Sequence, residues 1–174
     1  PTIAESYGII IYNGELKDAK YPDDFFDVVT LNHSFEHIYN PCETLREIYR
    51  ITKHGGDVIV QVPNHNSFQQ QIFGSYWYSW DIPRHLFHYT PRTLKRLFVD
   101  HGFKYICSRY LYSGYALSLS IENFLNRFRK QKILLKDSSL PNNGVVRLLG
   151  LLIFGILPPI LKKGDVIEMT FKKT

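Results

Sequence analysis

The sequence predicts an α/β domain with a largely parallel sheet, because strand-like runs alternate with amphipathic helical segments along the chain. Its 174 residues are 44% apolar, which is enough for one sizeable core and indicates a single domain. Five runs have the β-branched and apolar character of strands: GIIIYNG (8–14), FFDVVTLNHS (25–34), DVIVQVPN (57–64), YICSRYLYS (105–113) and DVIEMTFKK (165–173). The first two contain continuous apolar stretches, so we expect both strands to be buried on two faces.

Two segments between these strands carry helix start and stop signals. In residues 40–56, Asn40 is a capping residue, a proline occupies the first turn, and a Gly-Gly pair is expected to end the helix. Residues 89–103 repeat the pattern, with Thr90 as the cap, a proline next and Gly102 as the terminator. Apolar residues recur at helical spacing in both segments, which predicts one buried face for each helix.

The distribution of charge and the two cysteines limit the kinds of partner and the cellular location that we expect. Residues 1–120 hold 11 Lys+Arg and 12 Asp+Glu, whereas residues 121–174 hold 10 and 4, so the net charge of +5 comes from the second segment. No nucleic-acid motif accompanies this basic segment, so we do not expect nucleic acid as a partner; an anionic membrane surface or simply a solvated basic face remains for it. Cys42 and Cys107 have no metal-ligand spacing and are too few for a disulfide scaffold, so a reducing, cytoplasmic location is favoured; the alternative is a single disulfide bridge between them.

The pentapeptide HSFEH, residues 33–37, has the spacing of one kind of zinc helix, with two histidines four residues apart and a glutamate before the second. It follows directly on a predicted strand, however, and a new helix begins a few residues later, so we expect it in a turn. A zinc ion would also need a third ligand, and no spacing selects His85 or His88. We therefore expect no metal, and predict that the polar side chains of the turn face a ligand crevice. The alternative is a turn in which they only satisfy backbone groups.

Two longer stretches resemble a known family. FDVVTLNHSFEHIYNPCETLREIYRITKHGGDVIVQVPN (26–64) and DIPRHLFHYTPRTLKRLFVDHGF (81–103) are similar to the class I S-adenosylmethionine-dependent methyltransferases, in particular the small-molecule branch. The resemblance is strong over residues 8–111 and implies a Rossmann-like class I methyltransferase fold, a three-layer α/β arrangement, with S-adenosylmethionine as cofactor. It also implies methyl transfer to a small-molecule acceptor or to one linked to lipid or saccharide.

The resemblance assigns roles to residues at matching positions. Those implied to bind the cofactor are Glu15 and Leu16 at the adenine, and Asn32, His33 and Ser34 beside the methionine part and the sulfonium. Those implied to shape or close the acceptor pocket are Glu36, His37, Arg84 and His88. His33 and His85 are the candidates for a catalytic base, because histidine is the usual proton acceptor near neutral pH. The alternatives are a solvated turn for Glu15 and a loop-orienting role for His85 and His88.

The family's Gly-rich loop and ribose-binding acid are expected upstream of residue 1, together with strands one and two of a sheet ordered 3-2-1-4-5-7-6. The resemblance therefore implies that the chain is the C-terminal two-thirds of a methyltransferase domain, is inactive by itself and binds S-adenosylmethionine weakly. It also leaves the strand at residues 28–31 with an open edge. We expect residues 9–12, or a second copy of the chain in a homodimer, to cover this edge.

Residues 114–164 are predicted to form a helical, apolar and basic insertion before the last strand. The uncharged run 148–161 is too short to span a membrane, for which about 20 residues are needed, and Pro158-Pro159 interrupts it. With basic residues on both sides, residues 144–163 are expected to contact a membrane surface or to cover a lipophilic acceptor; the alternative is a helix buried against the sheet or a partner subunit. A second function class follows, in which the chain is a non-catalytic remnant that binds a partner or a membrane.

Overall fold

The computed structural model describes residues 6–127 and 156–174, which contain one four-stranded sheet. The strands are β1 (Phe26–Asn32), β2 (Thr52–Pro63), β3 (Phe103–Leu111) and β4 (Val166–Lys173). Their order is β1-β2-β4-β3, with β1 parallel to β2 and β4 antiparallel to both of its neighbours. This order corresponds to strands four, five, seven and six of the predicted sheet.

The helices of the described ranges are α1 (Pro41–Ile51), α2 (Phe68–Phe73), α3 (Pro91–Asp100), α4 (Gly114–Asn126) and α5 (Leu157–Ile160). Both predicted caps are present. The Asn40 side chain accepts a hydrogen bond from the Glu43 N–H, and Thr90 and Thr93 form a reciprocal capping box at the start of α3. These bonds satisfy N–H groups that have no partner within the helix, which is why local sequence determines the two helix starts.

The end of α1 differs from the prediction. The helix ends at Ile51 rather than at Gly55-Gly56, and Thr52 is already the first residue of β2. The Thr52 hydroxyl donates to the Ile48 carbonyl (2.6 Å) and closes the helix without a glycine. The glycine pair lies instead in an irregular part of β2, where Gly55 has a φ of +77° that favours glycine.

The main core lies on one face of the sheet. On β2 and β4 it consists of alternate residues that the antiparallel register places opposite one another: Val58, Val60, Val62, Ile167, Met169 and Phe171. Leu45 and Ile48 of α1 cover this face together with Leu94 and Phe98 of α3, and all four side chains are fully buried. In the described residues, one layer of helices therefore packs on one face of the sheet. The sheet and this helical layer are two of the three predicted layers.

Two strand predictions near the N-terminus are wrong. Residues 8–14 form no strand, and their apolar run is largely exposed, with Ile10 91% accessible. β-branched residues fit a pleated surface only where a neighbouring strand offers ladder and packing partners, and no described strand pairs with this run. β1 is a strand but is not buried on two faces, because Val28, on the face away from α1 and α3, is 50% exposed.

The outer edge of β1 is open in the described residues. β1 pairs there with β2 alone, and residues 9–12 do not cover its other side, contrary to the prediction. Coverage by a second copy of the chain remains a prediction, since unpaired strand edges favour association.

The predicted insertion at 114–164 is only partly described. α4 is helical as predicted, whereas residues 128–155 lie outside the described part, and with them most of the predicted membrane-contact segment 144–163. No helix in the described ranges is long and apolar enough to cross a membrane. Contact of this segment with a membrane surface therefore stays a prediction.

Candidate active site

The HSFEH turn begins where β1 ends. The backbone N–H of His33 still donates to a β2 carbonyl (2.9 Å), after which His33 takes a left-handed conformation (φ 46°) that turns the chain out of the sheet. A short 3₁₀ helix, Phe35–His37, follows, and Phe35 is fully buried against the rings of Tyr89 and Phe98. This anchor places the polar residues of the turn at the carboxyl end of the parallel strands.

Glu36 is the most unusual residue of this turn, because its side chain is 1% exposed and makes no hydrogen bond to any residue that the structure describes. Its Oε1 lies 3.4 Å from Nδ1 of His33 and 3.9 Å from Nε2 of His85. Burial, with Glu36 nearby, raises the pKa of the Tyr89 hydroxyl. The carboxylate implied for the floor of the acceptor pocket is thus enclosed by two histidines and a tyrosine.

The second histidine-containing segment is hydrogen-bonded directly onto this turn. The backbone N–H of Leu86 donates to the Glu36 carbonyl at 2.9 Å, and His37 Nδ1 donates to the Arg84 carbonyl at 2.9 Å. These bonds hold His85 beside the turn, and the ring centroids of His37 and His85 are 4.8 Å apart. The two segments that the family resemblance assigns to one pocket therefore meet.

Arg84 and His88 lie near this cluster but face elsewhere. The Arg84 guanidinium is exposed and forms an ion pair with Asp81 (2.7 Å). Nε2 of His88 donates to the Trp80 carbonyl (2.9 Å), and the His88 ring centroid is 4.9 Å from that of Trp80 and 5.8 Å from that of His65. Both side chains hold their segment in place, which agrees with the loop-orienting alternative for His88.

Asn32 and Ser34 flank His33 at the opening of the turn. Asn32 is the exposed last residue of β1, and the carbonyl of the half-buried Ser34 accepts the N–H of His37 (3.1 Å). The three residues implied for the methionine side of the cofactor therefore lie together at the strand end, beside the Glu36 carboxylate.

A cleft of 550 Å³ separates residues 14–17 from the start of α1. Its walls are Gly14, Glu15, Leu16 and Lys17 on one side, and His37, Ile38, Tyr39, Asn40, Glu43, Thr44 and Glu47 on the other. Leu16 is half-buried against the core, whereas the exposed Glu15 carboxylate pairs with Lys17 (3.0 Å). Both residues implied for the adenine line a cleft that has the size of a ligand pocket and reaches the HSFEH turn.

Asp165 is a residue of this region that the sequence did not reveal. It directly precedes β4, is buried, and both of its carboxylate oxygens accept the N–H of Ser113 at 3.0 Å. Burial raises the pKa of Asp165 to about 7, while the Ser113 hydrogen bond and the nearby His33 act in the opposite direction. The sequence around Asp165 does not indicate that this acid is buried. Its burial comes from distant parts of the chain, the start of α4 and the end of β2.

The raised pKa of Asp165 predicts a change of stability with pH. Because this pKa is higher in the folded protein than in the unfolded chain, the protonated carboxyl favours folding, and that contribution is lost as the pH rises from about 4 to about 7. We expect Asp165→Asn, which keeps an oxygen acceptor for Ser113, to remove up to about 1.4 kcal/mol per pH unit of this decline. Urea unfolding of both proteins across this range measures it, and parallel stability curves would contradict the assignment.

The fold and this region define a class of protein. A parallel pair of strands extended by an antiparallel β4, with a polar cluster and a cleft beyond the strand ends, is typical of ligand-binding α/β proteins. A family described as a methyltransferase domain matches residues 8–108, more than half of the chain. The chain belongs to this family of S-adenosylmethionine-dependent methyltransferases, and the family implies S-adenosylmethionine as the cofactor.

Solved structures with methyltransferase folds are similar to the whole described architecture. An S-adenosylmethionine-dependent methyltransferase of Thermotoga maritima, a possible histamine N-methyltransferase, has a TM-score of 0.61 at 17% identity, over 99% of this chain and 68% of that one. One from Archaeoglobus fulgidus has a TM-score of 0.55 at 19% identity, over 94% and 66%. The [4+2]-cyclase SpnF has a TM-score of 0.58 at 17% identity, over 98% and 60%. These likenesses confirm the Rossmann-like class I methyltransferase fold, and the cyclase shows that this fold does not by itself determine the reaction.

Two curated relatives match shorter stretches. An uncharacterized protein of Methanocaldococcus jannaschii is 30% identical over 71 residues, 41% of this chain and 35% of that protein. The demethylmenaquinone methyltransferase of Listeria monocytogenes is 28% identical over 79 residues, 44% of this chain and 33% of that protein. The chain thus spans about a third of the length of each of these relatives.

Proposed function

We propose that the chain forms the acceptor side of an S-adenosylmethionine-dependent methyltransferase that acts on a small molecule, or on an acceptor linked to lipid or saccharide. The observation that carries this proposal is the meeting of His33, Glu36 and His85 beyond the carboxyl end of β1. Ligands of open α/β sheets bind at this position. The apolar and basic residues 144–163 support an acceptor with a lipophilic part.

The bound cofactor supplies an activated methyl group on a sulfonium, and the residues of this chain align the acceptor with it. Of the two base candidates, His33 is the better placed, because Nδ1 faces the Glu36 carboxylate at 3.4 Å while the half-exposed ring presents Nε2 to the acceptor. Glu36 then orients the ring and stabilises the imidazolium that forms when the acceptor loses a proton. His85 is 10% exposed and donates from Nδ1 to the Ser79 carbonyl (2.8 Å), which makes it a positioning residue.

The residues of the cleft fit the adenine end of the cofactor. Glu15 offers a carboxylate to the exocyclic amine, and Leu16 offers an apolar surface to the ring. Glu43 adds a second carboxylate against the single ammonium of Lys17, whereas Glu47 is paired with Arg50. The resulting net negative lining suits a ligand whose sulfonium gives it a net positive charge.

Glu15→Ala is expected to weaken S-adenosylmethionine binding about tenfold, because it removes one charge-assisted hydrogen bond worth about 1.4 kcal/mol. Calorimetric titration of the protein with S-adenosylmethionine measures the change. The matched control is Asp18→Ala, which removes an acid from the 3₁₀ helix Leu16–Ala19 that Glu15 directly precedes, but outside the cleft lining. We expect that variant to bind as the unchanged protein does.

This titration tests the location of the adenine site and the proposed function separately. Equal affinities for the unchanged protein and Glu15→Ala would place the adenine outside the cleft. If the complete protein, with the strands expected upstream of residue 1, gave no binding signal with S-adenosylmethionine, the proposed function itself would be contradicted.

A second candidate function is binding to a membrane surface without catalysis. The observation that favours it is a group of exposed apolar side chains in and around α5, followed by two lysines: Ile156, Leu157, Ile160, Leu161, Lys162 and Lys163. Apolar side chains beside basic ones suit anionic lipid surfaces. Salt-sensitive retention on anionic vesicles by a protein that does not bind S-adenosylmethionine would favour this second function.

A further inference from the structure

We infer that Glu36, His37 and His85 form a binding site for a divalent transition-metal ion such as Zn²⁺. One carboxylate oxygen and one ring nitrogen from each histidine lie within 4.8 Å of one another. Two neutral imidazoles and a carboxylate are a ligand set used for catalytic zinc and for non-haem iron. Methyl transfer from a sulfonium needs no metal, so this site goes beyond the proposed function.

The ring orientations of both histidines suit metal ligation. Nδ1 of His37 donates to the Arg84 carbonyl (2.9 Å), and Nδ1 of His85 donates to the Ser79 carbonyl (2.8 Å). Because a carbonyl oxygen only accepts, each Nδ1 carries a proton, and the neutral ring keeps its lone pair on Nε2. Metal-binding histidines almost always donate their second nitrogen in this way, which fixes the tautomer and the ring plane.

The Glu36 carboxylate is the independent observation that points to a cation. Its side chain is 1% exposed, and both oxygens lack a hydrogen bond within the described ranges. The nearest ring nitrogens, in His33 and His85, are 3.4 and 3.9 Å from Oε1, longer than a normal hydrogen bond of about 2.7–3.2 Å. A buried carboxylate without a hydrogen bond is costly, and a cation held between it and the two imidazoles would remove that cost.

The three ligand atoms lie within 4.8 Å of one another and must approach by up to about 1.4 Å to close the site. Ligand atoms at about 2.0–2.2 Å from a tetrahedral zinc ion are about 3.4 Å apart. The Oε1 atom of Glu36 and Nε2 of His85 are already 3.9 Å apart. Three protein ligands leave a fourth position, where an acceptor oxygen would be polarised next to the proposed base, His33.

This ligand set differs from the one that the HSFEH spacing suggests. That spacing pairs His33 with His37 on a helix face, which the turn does not form. Instead, the Glu36 side chain is buried beneath the turn. His85 belongs to the segment whose Leu86 N–H donates to the Glu36 carbonyl, and it lies beside the Glu36 carboxylate. The expectation of no metal rested on the helix pattern and on the lack of a spacing that selects a third ligand, and the contact between residues 84–86 and the turn brings His85 to that position.

The test is a calorimetric titration of Zn²⁺ into chelator-treated protein without S-adenosylmethionine, so that its outcome is independent of methyl transfer. We expect one ion per chain with a micromolar or tighter Kd, a visible absorption band when Co²⁺ replaces Zn²⁺, and no binding of Mg²⁺, which prefers oxygen ligands. Glu36→Gln and His85→Ala are each expected to weaken Zn²⁺ binding at least tenfold. His54→Ala, which removes an exposed histidine of β2, is the matched control and is expected to bind normally.

Circular dichroism of each variant separates the loss of a ligand from the loss of the fold. Glu36→Gln preserves the shape of the side chain, so it decides the question if His85→Ala does not fold. A folded Glu36→Gln protein with unchanged Zn²⁺ affinity would overturn the inference, as would a wild-type protein that takes up no stoichiometric zinc. An equal loss in His54→Ala would identify adventitious surface binding and would overturn it too.

Discussion

Replacing His33 with alanine in the complete methyltransferase is expected to lower methyl transfer at least tenfold, a loss of about 1.4 kcal/mol of transition-state stabilisation. Nδ1 of His33 lies 3.4 Å from the buried Glu36 carboxylate, and its removal leaves the acceptor without an oriented base. The measurement is the transfer of radiolabelled methyl groups from S-adenosylmethionine into lipid and small-molecule extracts of the source cells. The fold should persist, because the His33 side chain is half exposed.

Two further variants distinguish the loss of the His33 imidazole from two other effects: strain in the backbone of residue 33, and the removal of any exposed histidine. His33 has a φ of 46°, a conformation that asparagine adopts more readily than alanine. His33→Asn is therefore expected to keep the stability of the protein and to lose the activity. His54→Ala, in an exposed part of β2, is expected to keep both. Undiminished methyl transfer by His33→Asn would remove His33 from the mechanism.

Phe98→Ala is expected to lower the free energy of unfolding by about 3–5 kcal/mol. The Phe98 side chain is fully buried, its ring stacks on Phe171 of β4 with centroids 4.3 Å apart, and it lies 5.3 Å from the ring of Phe35. The substitution would leave a cavity at the place where α3 packs against both the sheet and the HSFEH turn. Urea unfolding at neutral pH measures the loss.

Phe25→Ala is the matched control for this core prediction. Phe25 is 49% exposed just before β1, so its removal is expected to cost less than about 1 kcal/mol. Equal losses in the two variants would show that burial of Phe98 is not a main source of stability.

Local chemistry explains the parts of the fold that were predicted correctly. α1 and α3 begin where Asn40 and Thr90 cap them, because a capping bond joins residues only three positions apart. β2 and β4 were recognisable from apolar runs that the sheet does bury. The position of the HSFEH turn at the end of β1 followed from the order of these elements alone.

Contacts between distant residues explain what the sequence did not predict. Residues 8–14 have the composition of a strand, but strand formation depends on a neighbour that the described residues do not provide. The near-complete burial of the Glu36 side chain was not predictable, because a later segment, whose Leu86 N–H donates to the Glu36 carbonyl, packs against the turn. Cys42 and Cys107 are both free thiols, so the single-bridge alternative is wrong, and the favoured expectation of unbridged cysteines holds.

The central claim is that S-adenosylmethionine binds beside the HSFEH turn at the carboxyl end of β1. Amide chemical shifts of isotope-labelled protein report on binding even when the affinity is weak, so an NMR titration with S-adenosylmethionine tests the claim most directly. We expect the largest shifts at residues 14–17, which line the cleft, and at residues 32–34, which begin the turn. Shifts confined to β3 and β4, or no shifts at millimolar cofactor, would contradict it.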